Sequence, residues 1–199
     1  MSARTQLVVG LGNPGKEYEG TRHNVGFAVV DRVAGRLECS FRNKLRFTAQ
    51  VAEAAGVAGK VVLVKPQTYM NRSGQTVAAM LGWLKLTPVE MLVVVDDADL
   101  PLRQIRLRVA GGSGGHNGMR SILEALGGNE EFPRLRVGIG RSGPVGQDIA
   151  GHVLSRFAAA EREAAVEVIA AAAAAVEFCL KEGLTAAMNQ FNRRKGESV

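Results

Sequence analysis

The chain has 199 residues, of which 46% are hydrophobic, and a net charge of +6 with a pI near 9.7. A chain of this length buries about 70% of its unfolded surface, so one domain can fold without a disulfide or a structural metal. Cys39 and Cys179 lack CxxC spacing and the apolar run at residues 168–176 is too short for a bilayer, which excludes a disulfide scaffold and a membrane span and predicts a cytoplasmic protein.

The first half of the chain predicts a strand, a long polar loop and a helix, followed by two neighbouring strands and a second helix. Apolar runs indicate the strands, and the spacing of Val25, Val29, Val30 and Val33 is that of one helix face. Pro66 is expected to end the third strand. The predicted strands cover residues 7–11, 47–55 and 61–64. The predicted helices run from just after His23 to about residue 37 and over residues 73–84.

The second half alternates strands and helices in the same way. Residues 91–95 form a continuous apolar run typical of a central strand, and residues 104–109 alternate apolar and basic side chains like a half-exposed antiparallel strand. A strand at 135–140 and helices at 117–126, 158–180 and 185–191 follow. The expected fold is a single three-layer α/β/α domain over residues 1–199, with a mixed, mostly parallel sheet.

Residues 143–151, GPVGQDIAG, carry few core signals and are predicted to form a mobile loop that could act as a lid. With the helices that follow, this loop makes up the C-terminal part of the predicted domain, residues 143–192. Ligand sites of α/β sheets gather outside the carboxyl ends of the strands, so the loops there are the place to look for chemistry.

Gly10, Gly12 and Gly15 spell GxGxxG after the first strand, which is typical of a dinucleotide-binding loop. That motif requires the third glycine to lie at the start of a helix that faces pyrophosphate. Here Asn13, Pro14 and Gly15 form a turn sequence, and a polar loop continues for about eight more residues. No acidic residue ends a second strand, so we reject a nicotinamide or flavin cofactor and expect none.

His23 and Asp96 are the candidate catalytic pair. His23 lies in a polar loop, where a free imidazole can accept a proton near neutral pH, and Asp96 ends a buried strand, where its carboxylate could fix the imidazole tautomer. The alternatives are a histidine that only binds backbone and an acidic turn that is solvated or binds a divalent ion. No GxSxG motif or activated cysteine is present, so water is the expected nucleophile.

Three loop asparagines, Asn13, Asn71 and Asn117, could orient that water, hold peptide carbonyls or donate to an oxyanion. Any one of them could instead be a turn residue, above all Asn13 before Pro-Gly. His116, at a predicted helix start after GGSGG, is as consistent with packing as with catalysis. Tyr18, Tyr69 and Met70 could line an acyl or base pocket or the edge of the core, and His152 receives no role.

Arginine accounts for 18 of the 25 basic residues, and its planar guanidinium suits phosphate oxygens. Coding bias in a GC-rich genome would give the same composition, so charge alone does not identify a partner. Arginines do recur beside the candidate loops, which favours a nucleic acid. They are Arg22, Arg72, Arg106, Arg108 and Arg120.

Five segments in this order, GLGNPGKEYEGTRHNVGF, KPQTYMNRSG, DDADLP, GGSGGHNG and RVGIGR, resemble the bacterial-type peptidyl-tRNA hydrolase family. The resemblance extends over residues 7–192. It implies a monomeric α/β domain that cleaves the ester between a peptide and the 3′ ribose of tRNA, without a metal or a cofactor.

The same resemblance implies roles for individual residues. His23 corresponds to the family's catalytic base and Asp96 to its partner, while Asn13, Asn71 and Asn117 match its substrate-binding asparagines. The remaining matches are Tyr18 beside the acceptor end, Met70 in the peptide-side pocket, and Arg108 and Arg136 on the tRNA phosphates. Two departures, Ser113 in the glycine loop and DDADLP for HDELDLP, are expected to affect loop dynamics more than activity.

Two other functions stay open. Relatives of this fold can serve as RNA-binding proteins in intron splicing, without hydrolase activity, although the full set of catalytic residues argues against this. Hydrolysis of small aminoacyl or peptidyl esters is disfavoured by the arginines near the site. Salt dependence of substrate affinity separates tRNA recognition from small-ester binding.

Overall fold

The structure, a computed structural model, describes residues 6–57, 59–141 and 149–192. Its described strands form one seven-stranded sheet in the order β2-β3-β4-β1-β5-β7-β6. The four central strands, β4, β1, β5 and β7, are parallel to one another, while the outer pairings are antiparallel. The strands are β1 (Gln6–Gly10), β2 (Arg42–Lys44), β3 (Ala49–Gly56), β4 (Gly59–Pro66), β5 (Met91–Asp97), β6 (Ile105–Arg108) and β7 (Arg134–Gly138).

Helices cover both faces of this sheet, so the predicted fold class is confirmed. The alternating side chains of the strands divide the core into two apolar layers, one against α1, α5 and α6 and the other against α2 and α3. The helices are α1 (Val25–Arg36), α2 (Ser73–Leu84), α3 (Asn117–Ala125), α4 (Ile149–Leu154), α5 (Arg162–Glu182) and α6 (Leu184–Phe191). No helix in the described part of the chain is long and apolar enough to cross a membrane.

The predicted elements differ from the structure mainly at their ends and in one strand. α5 begins at Arg162 and not near residue 158, because a 3-10 turn at Ala159–Glu161 precedes it. β2 was not predicted, since all three of its side chains are exposed and polar and give no apolar signal. Of the predicted lid loop, residues 143–148 lie outside the described residues, and α4 begins at Ile149.

Gly10, the last residue of β1, serves packing, and Gly15 does not lie at the start of an α-helix as the dinucleotide-binding motif requires. Two 3-10 turns, Lys16–Tyr18 and Arg22–Asn24, separate Gly15 from the start of α1 at Val25. A Cβ on Gly10 would lie 2.3 Å from the carbonyl oxygen of Gly26, so these two glycines let β1 and α1 approach closely. This close packing fixes the position of the loop that carries His23.

Among the described strands, β6 is the last on its side of the sheet, and the Asn192 side chain covers its free edge at Leu107. The Asn192 amide accepts a hydrogen bond from the Leu107 N–H at 2.8 Å and donates one to the Leu107 carbonyl at 3.0 Å. These two bonds reproduce the pairing that a neighbouring strand would make at this residue.

Candidate active site

A cavity of about 790 Å³ opens at the carboxyl ends of the central strands. The loop after β1, the turn after β4 and the end of β5 converge there, as the parallel arrangement of these strands requires. The start of α3 joins them through residues 109–116, because β6 itself is antiparallel. All nine predicted site residues line this cavity: His23, Asp96, Asn13, Tyr18, Met70, Asn71, Asn117, Arg108 and Arg136.

His23 and Asp96 are both buried and lie within hydrogen-bonding distance. His23 Nδ1 is 2.9 Å from Asp96 Oδ1, and the two side chains come from the turn before α1 and the end of β5. Because the carboxylate can only accept, Nδ1 carries the proton and donates it to Asp96. In the neutral imidazole, Nε2 then has a free lone pair, the arrangement that a general base needs.

His116 binds the same carboxylate oxygen from the other side, which the sequence did not indicate. Its Nε2 is 2.9 Å from Asp96 Oδ1, and its Nδ1 accepts hydrogen bonds from the backbone N–H groups of Gly118 and Met119 at 3.1 and 3.2 Å. His116 therefore caps the N-terminus of α3, and its Nδ1 has no proton. The proton must be on Nε2, so His116 is a fixed donor to Asp96 and not a second base.

The two imidazoles keep Asp96 ionised although it is almost fully buried. Burial alone would raise the pKa of this carboxyl, but the interaction with His116 and the hydrogen bonds from His116 and His23 outweigh it and lower the pKa well below its ordinary value of 3.8. The site thus holds a permanent negative charge beside His23. That charge stabilises the imidazolium formed when His23 takes a proton.

This depressed pKa predicts how Asp96 contributes to stability at different pH. A carboxyl group whose pKa is lower in the folded than in the unfolded chain makes its full contribution to the free energy of unfolding at pH values above its unfolded pKa. This contribution disappears as the pH falls to the pKa of the folded chain. We expect the difference in the free energy of unfolding between the wild type and Asp96→Asn to be largest near about pH 6 and to shrink below about pH 4. Urea denaturation at several pH values measures it, and a difference that does not change with pH would contradict the assignment.

His23, Asp96 and His116 also have the residue types of a metal site, with their ligand atoms within 4.8 Å of one another. A metal on His116 Nε2 would require the proton to move to Nδ1, where two backbone N–H groups already donate. The hydrogen bonds therefore fit a proton-transfer site better than a metal centre.

The acidic turn after β5 is neutralised by arginines. Asp97 forms an ion pair with Arg136, and Asp99 forms one with Arg141. The Asp97 side chain is buried in its ion pair, whereas the Asp99 side chain is 61% exposed and matches the solvated acidic turn that was one of the sequence alternatives.

Asn13 is buried and held on both sides, so it is more than a turn residue. Its Oδ1 accepts a hydrogen bond from the Met70 N–H at 2.7 Å, while the Asn24 side chain accepts from its backbone N–H at 2.8 Å and donates to its carbonyl at 3.0 Å. The Met70 bond fixes the orientation of the Asn13 amide and leaves Nδ2 as the group that can donate to a ligand. Asn24, next to His23 in the sequence, was not predicted.

Asn71 and Asn117 are exposed at the rim of the same cavity, in the turn before α2 and at the first residue of α3. Met70 is buried between them and Asn13 and contributes part of the apolar wall. The rings of Tyr18 and Tyr69 meet edge to face at 6.4 Å, and Tyr69 is 58% exposed. This side of the cavity therefore offers amide groups and aromatic surface.

The other side of the cavity is basic. Arg106 lies opposite Arg136 in the antiparallel register of β6 and β7, and Arg108 lies opposite Arg134, so all four side chains project from one face. Arg136 is paired with Asp97, while Arg108 is exposed and lines the cavity. Direct opposition of like charges is unfavourable, and the positive charge of Arg108, Arg134 and Arg136, which line the cavity, favours an anion there.

Arg134 was not predicted and has a different role. It is buried and stacks on the Phe132 ring at 4.3 Å. It also donates hydrogen bonds to the carbonyls of Gly111 and Gly112, and these bonds hold the glycine loop, residues 111–118, in place. Burial lowers the pKa of its guanidinium. In the same loop the Ser113 carbonyl accepts the His116 N–H at 3.0 Å, so backbone contacts orient this segment.

Arg22 does not contribute its charge to the cavity. Its position before His23 predicted a positive charge at the site, but the side chain is buried and faces away. It forms an ion pair with Glu161 at 2.5 Å and donates to the Ser155 hydroxyl and the Arg156 carbonyl, both at 2.7 Å. Arg22 thus fastens the His23 turn to the segment between α4 and α5.

Comparisons with known proteins show what this chain is similar to. The family model described as peptidyl-tRNA hydrolase matches residues 7–198. Peptidyl-tRNA hydrolases of Synechococcus sp. (strain JA-3-3Ab) and Chloroflexus aggregans are 55% and 54% identical over 188 residues, covering 94% of this chain and 82% and 98% of theirs. The crystal structure of peptidyl-tRNA hydrolase from Acinetobacter baumannii is similar with a TM-score of 0.89, 36% identity and 97% coverage of both chains.

Proposed function

We propose that His23 activates the attacking water in this chain, which belongs to the peptidyl-tRNA hydrolase family and hydrolyses peptidyl-tRNA. The observation that carries the proposal is the geometry of His23 and Asp96. Nδ1 donates to the carboxylate at 2.9 Å, which leaves Nε2 as the base within the cavity. An ester is more reactive than an amide, so one activated water and one amide donor suffice as chemical groups.

The proposed reaction has two steps, attack of water and loss of the tRNA. Nε2 of His23 takes a proton from water as the water oxygen bonds to the ester carbonyl carbon, and Asp96 stabilises the resulting imidazolium. Nδ2 of Asn13 donates to the oxyanion. When the tetrahedral intermediate collapses, the bond to the 3′ ribose oxygen breaks and that oxygen receives the proton from His23. The products are the peptide acid and free tRNA.

The remaining residues bind the two parts of the substrate. Asn71 and Asn117 at the rim hold the peptide backbone of the substrate near the ester. Met70 contacts the peptide, and Tyr18 lies beside the acceptor end of the tRNA. Arg108 and Arg136 bind the tRNA phosphates, which the basic face of β6 and β7 supports. The two core layers share one sheet, which supports a single domain, and the family resemblance supports a monomer in the cytoplasm.

The proposal is tested with an N-blocked aminoacyl-tRNA and the same ester on a short nucleotide. We expect the tRNA ester to be cleaved with a lower KM, and its KM to rise with salt. In Arg108→Ala and Arg136→Ala, the slope of log KM against log salt should fall by about one each, because one phosphate contact is lost. Equal KM values for both esters would favour a small-ester hydrolase. Tight tRNA binding without cleavage would favour an RNA-binding protein.

Chelation tests the metal-free mechanism. Since the hydrogen bonds of His116 oppose a metal on its Nε2, we expect kcat to stay within about twofold after dialysis against EDTA. The short nucleotide ester is the substrate to use, because tRNA itself needs cations to fold. Loss of activity that Zn²⁺ or Mn²⁺ restores would replace this mechanism with a metal-activated water.

A further inference from the structure

An exposed apolar surface lies at the same edge of the sheet as the catalytic cavity, on the side away from Arg108 and Arg136. Leu45 is 90% exposed and Trp83 is 44% exposed, and with Phe47 and Val51 they border a groove of about 440 Å³. An exposed leucine beside an exposed tryptophan is an apolar patch of the kind that marks binding sites. We call the surface of Leu45, Phe47, Val51 and Trp83 the distal groove.

The distal groove is fixed to the body of the protein. The Phe47 and Trp83 rings pack at 5.2 Å, and the Thr76 hydroxyl in α2 donates to the Phe47 carbonyl at 3.0 Å. The Gln67 N–H donates to the Thr48 carbonyl at 2.7 Å, which ties the same turn to the loop that leads to Met70. The groove is therefore a preformed feature, connected directly to the loop that forms one wall of the cavity.

The order of the strands places the distal groove on a line through the active site. In space, the turn after β2 comes first along the carboxyl edge, and the Tyr69–Met70 turn after β4 is next to it. Asn13 and His23 after β1 follow, and then Asp96 at the end of β5. Arg136 on β7, paired with Val95, and Arg108 on β6, level with Val93, follow on the far side and are set back from this edge toward the middle of the sheet. The reacting centre thus lies between the distal groove and the arginines.

This order separates the two halves of the substrate. The ester carbonyl carbon beside His23 is bonded to the tRNA on one side and to the peptide on the other. If the tRNA phosphates bind Arg108 and Arg136, the peptide extends in the opposite direction, toward Tyr18, Tyr69 and the distal groove. Three strand spacings separate β1 from β2, roughly 14 Å, which an extended peptide covers in about four residues.

We propose that the distal groove is a subsite for the substrate's peptide, and that it binds an apolar side chain several residues before the ester. The inference rests on the proposed placement of the tRNA at Arg108 and Arg136. Lys44 and Arg46 at the rim are exposed and form no ion pair within the described residues. Their charge suits acidic neighbours in the peptide and opposes lysine or arginine there. The subsite makes longer peptides better substrates than a single blocked residue.

The test compares three tRNA esters on the same tRNA: N-acetyl-aminoacyl, a peptide of about six residues with leucine about four to five residues before the ester, and the same peptide with glycine there. The variants are Leu45→Glu and Trp83→Ala. Val57→Glu is the matched control, because Val57 is 80% exposed in the hairpin at the opposite end of the sheet.

We expect Leu45→Glu and Trp83→Ala to raise KM for the leucine peptide on the order of tenfold, with kcat and the other two substrates unchanged. Unchanged KM for the leucine peptide in Leu45→Glu overturns the proposal, and this exposed position does not depend on whether Trp83→Ala folds. Equal increases for all three esters, with weaker binding of free tRNA, overturn it in favour of an RNA contact. Failure of the wild type to cleave the N-acetyl ester would instead contradict the proposed function.

Discussion

His23→Ala is expected to lower kcat for peptidyl-tRNA by about 10³-fold to 10⁴-fold while the affinity for tRNA stays unchanged. The reason is that Nε2 of His23 is the proposed base, whereas the arginines and the rim asparagines bind the substrate through other atoms. Without the base, water attacks the ester without help, but the oxyanion donor and the binding groups remain. Single-turnover kinetics at saturating enzyme measure the chemical step directly.

His116→Ala provides the comparison for this result, because its imidazole touches the same carboxylate and caps α3. We expect it to cost about 1 kcal/mol of stability through the lost cap and to lower kcat less than His23→Ala does. If His116→Ala removed activity and His23→Ala did not, the base would be assigned to the wrong histidine. Weaker tRNA binding in His23→Ala, with an unchanged rate at saturation, would also contradict the mechanism.

Asp96→Asn is expected to lower kcat by about 10²-fold to 10⁴-fold with little change in size or shape. Two imidazole N–H groups donate to one carboxylate oxygen, and an amide cannot supply the negative charge that stabilises the His23 imidazolium. If the amide presents its NH₂ group to His23, it also reverses the tautomer and places the proton on Nε2. Steady-state kinetics, with thermal unfolding as a check on folding, measure the effect.

Asp97→Asn is the matched control, since Asp97 is the next residue and equally buried but faces Arg136. We expect this change to alter KM for tRNA, through the freed arginine, and to leave kcat within about threefold of the wild type. Equal losses of kcat in both variants would show that the buried charge acts on the whole strand end, and that the pairing of Asp96 with His23 is not its cause.

The convergence of the site could be predicted from the sequence because it depends on the direction of the strands. β1, β4 and β5 are apolar runs that end in polar loops, and parallel strands bring these loops together. His23, Asp96 and Asn13 therefore line one cavity as expected. The helix at 73–84 was predicted at its observed bounds, since Pro66 and the polar turn before it define its start.

Contacts between residues distant in the sequence could not be predicted. Nothing in GGSGGHNG indicates that His116 would cap α3 with one nitrogen and bind Asp96, 20 residues earlier, with the other. Arg134 and Arg136 lie on the same face of β7, so the sequence gives no reason to distinguish them. In the structure Arg134 binds the carbonyl of Gly111, whereas Arg136 forms an ion pair with Asp97. The side chain of Arg22 is directed by its ion pair with Glu161, a residue far away in the sequence, which no local pattern reveals.

The covered edge of β6 has a consequence for how copies of this protein meet one another. An exposed strand edge offers backbone groups to any passing chain and is a template for intermolecular sheets. Asn192 occupies that position at Leu107 with its own amide, so a neighbouring molecule finds the pairing at this residue already made. The Asn192 side chain, remote from the catalytic pair, thus removes this position of the sheet edge from pairing with another copy of the protein.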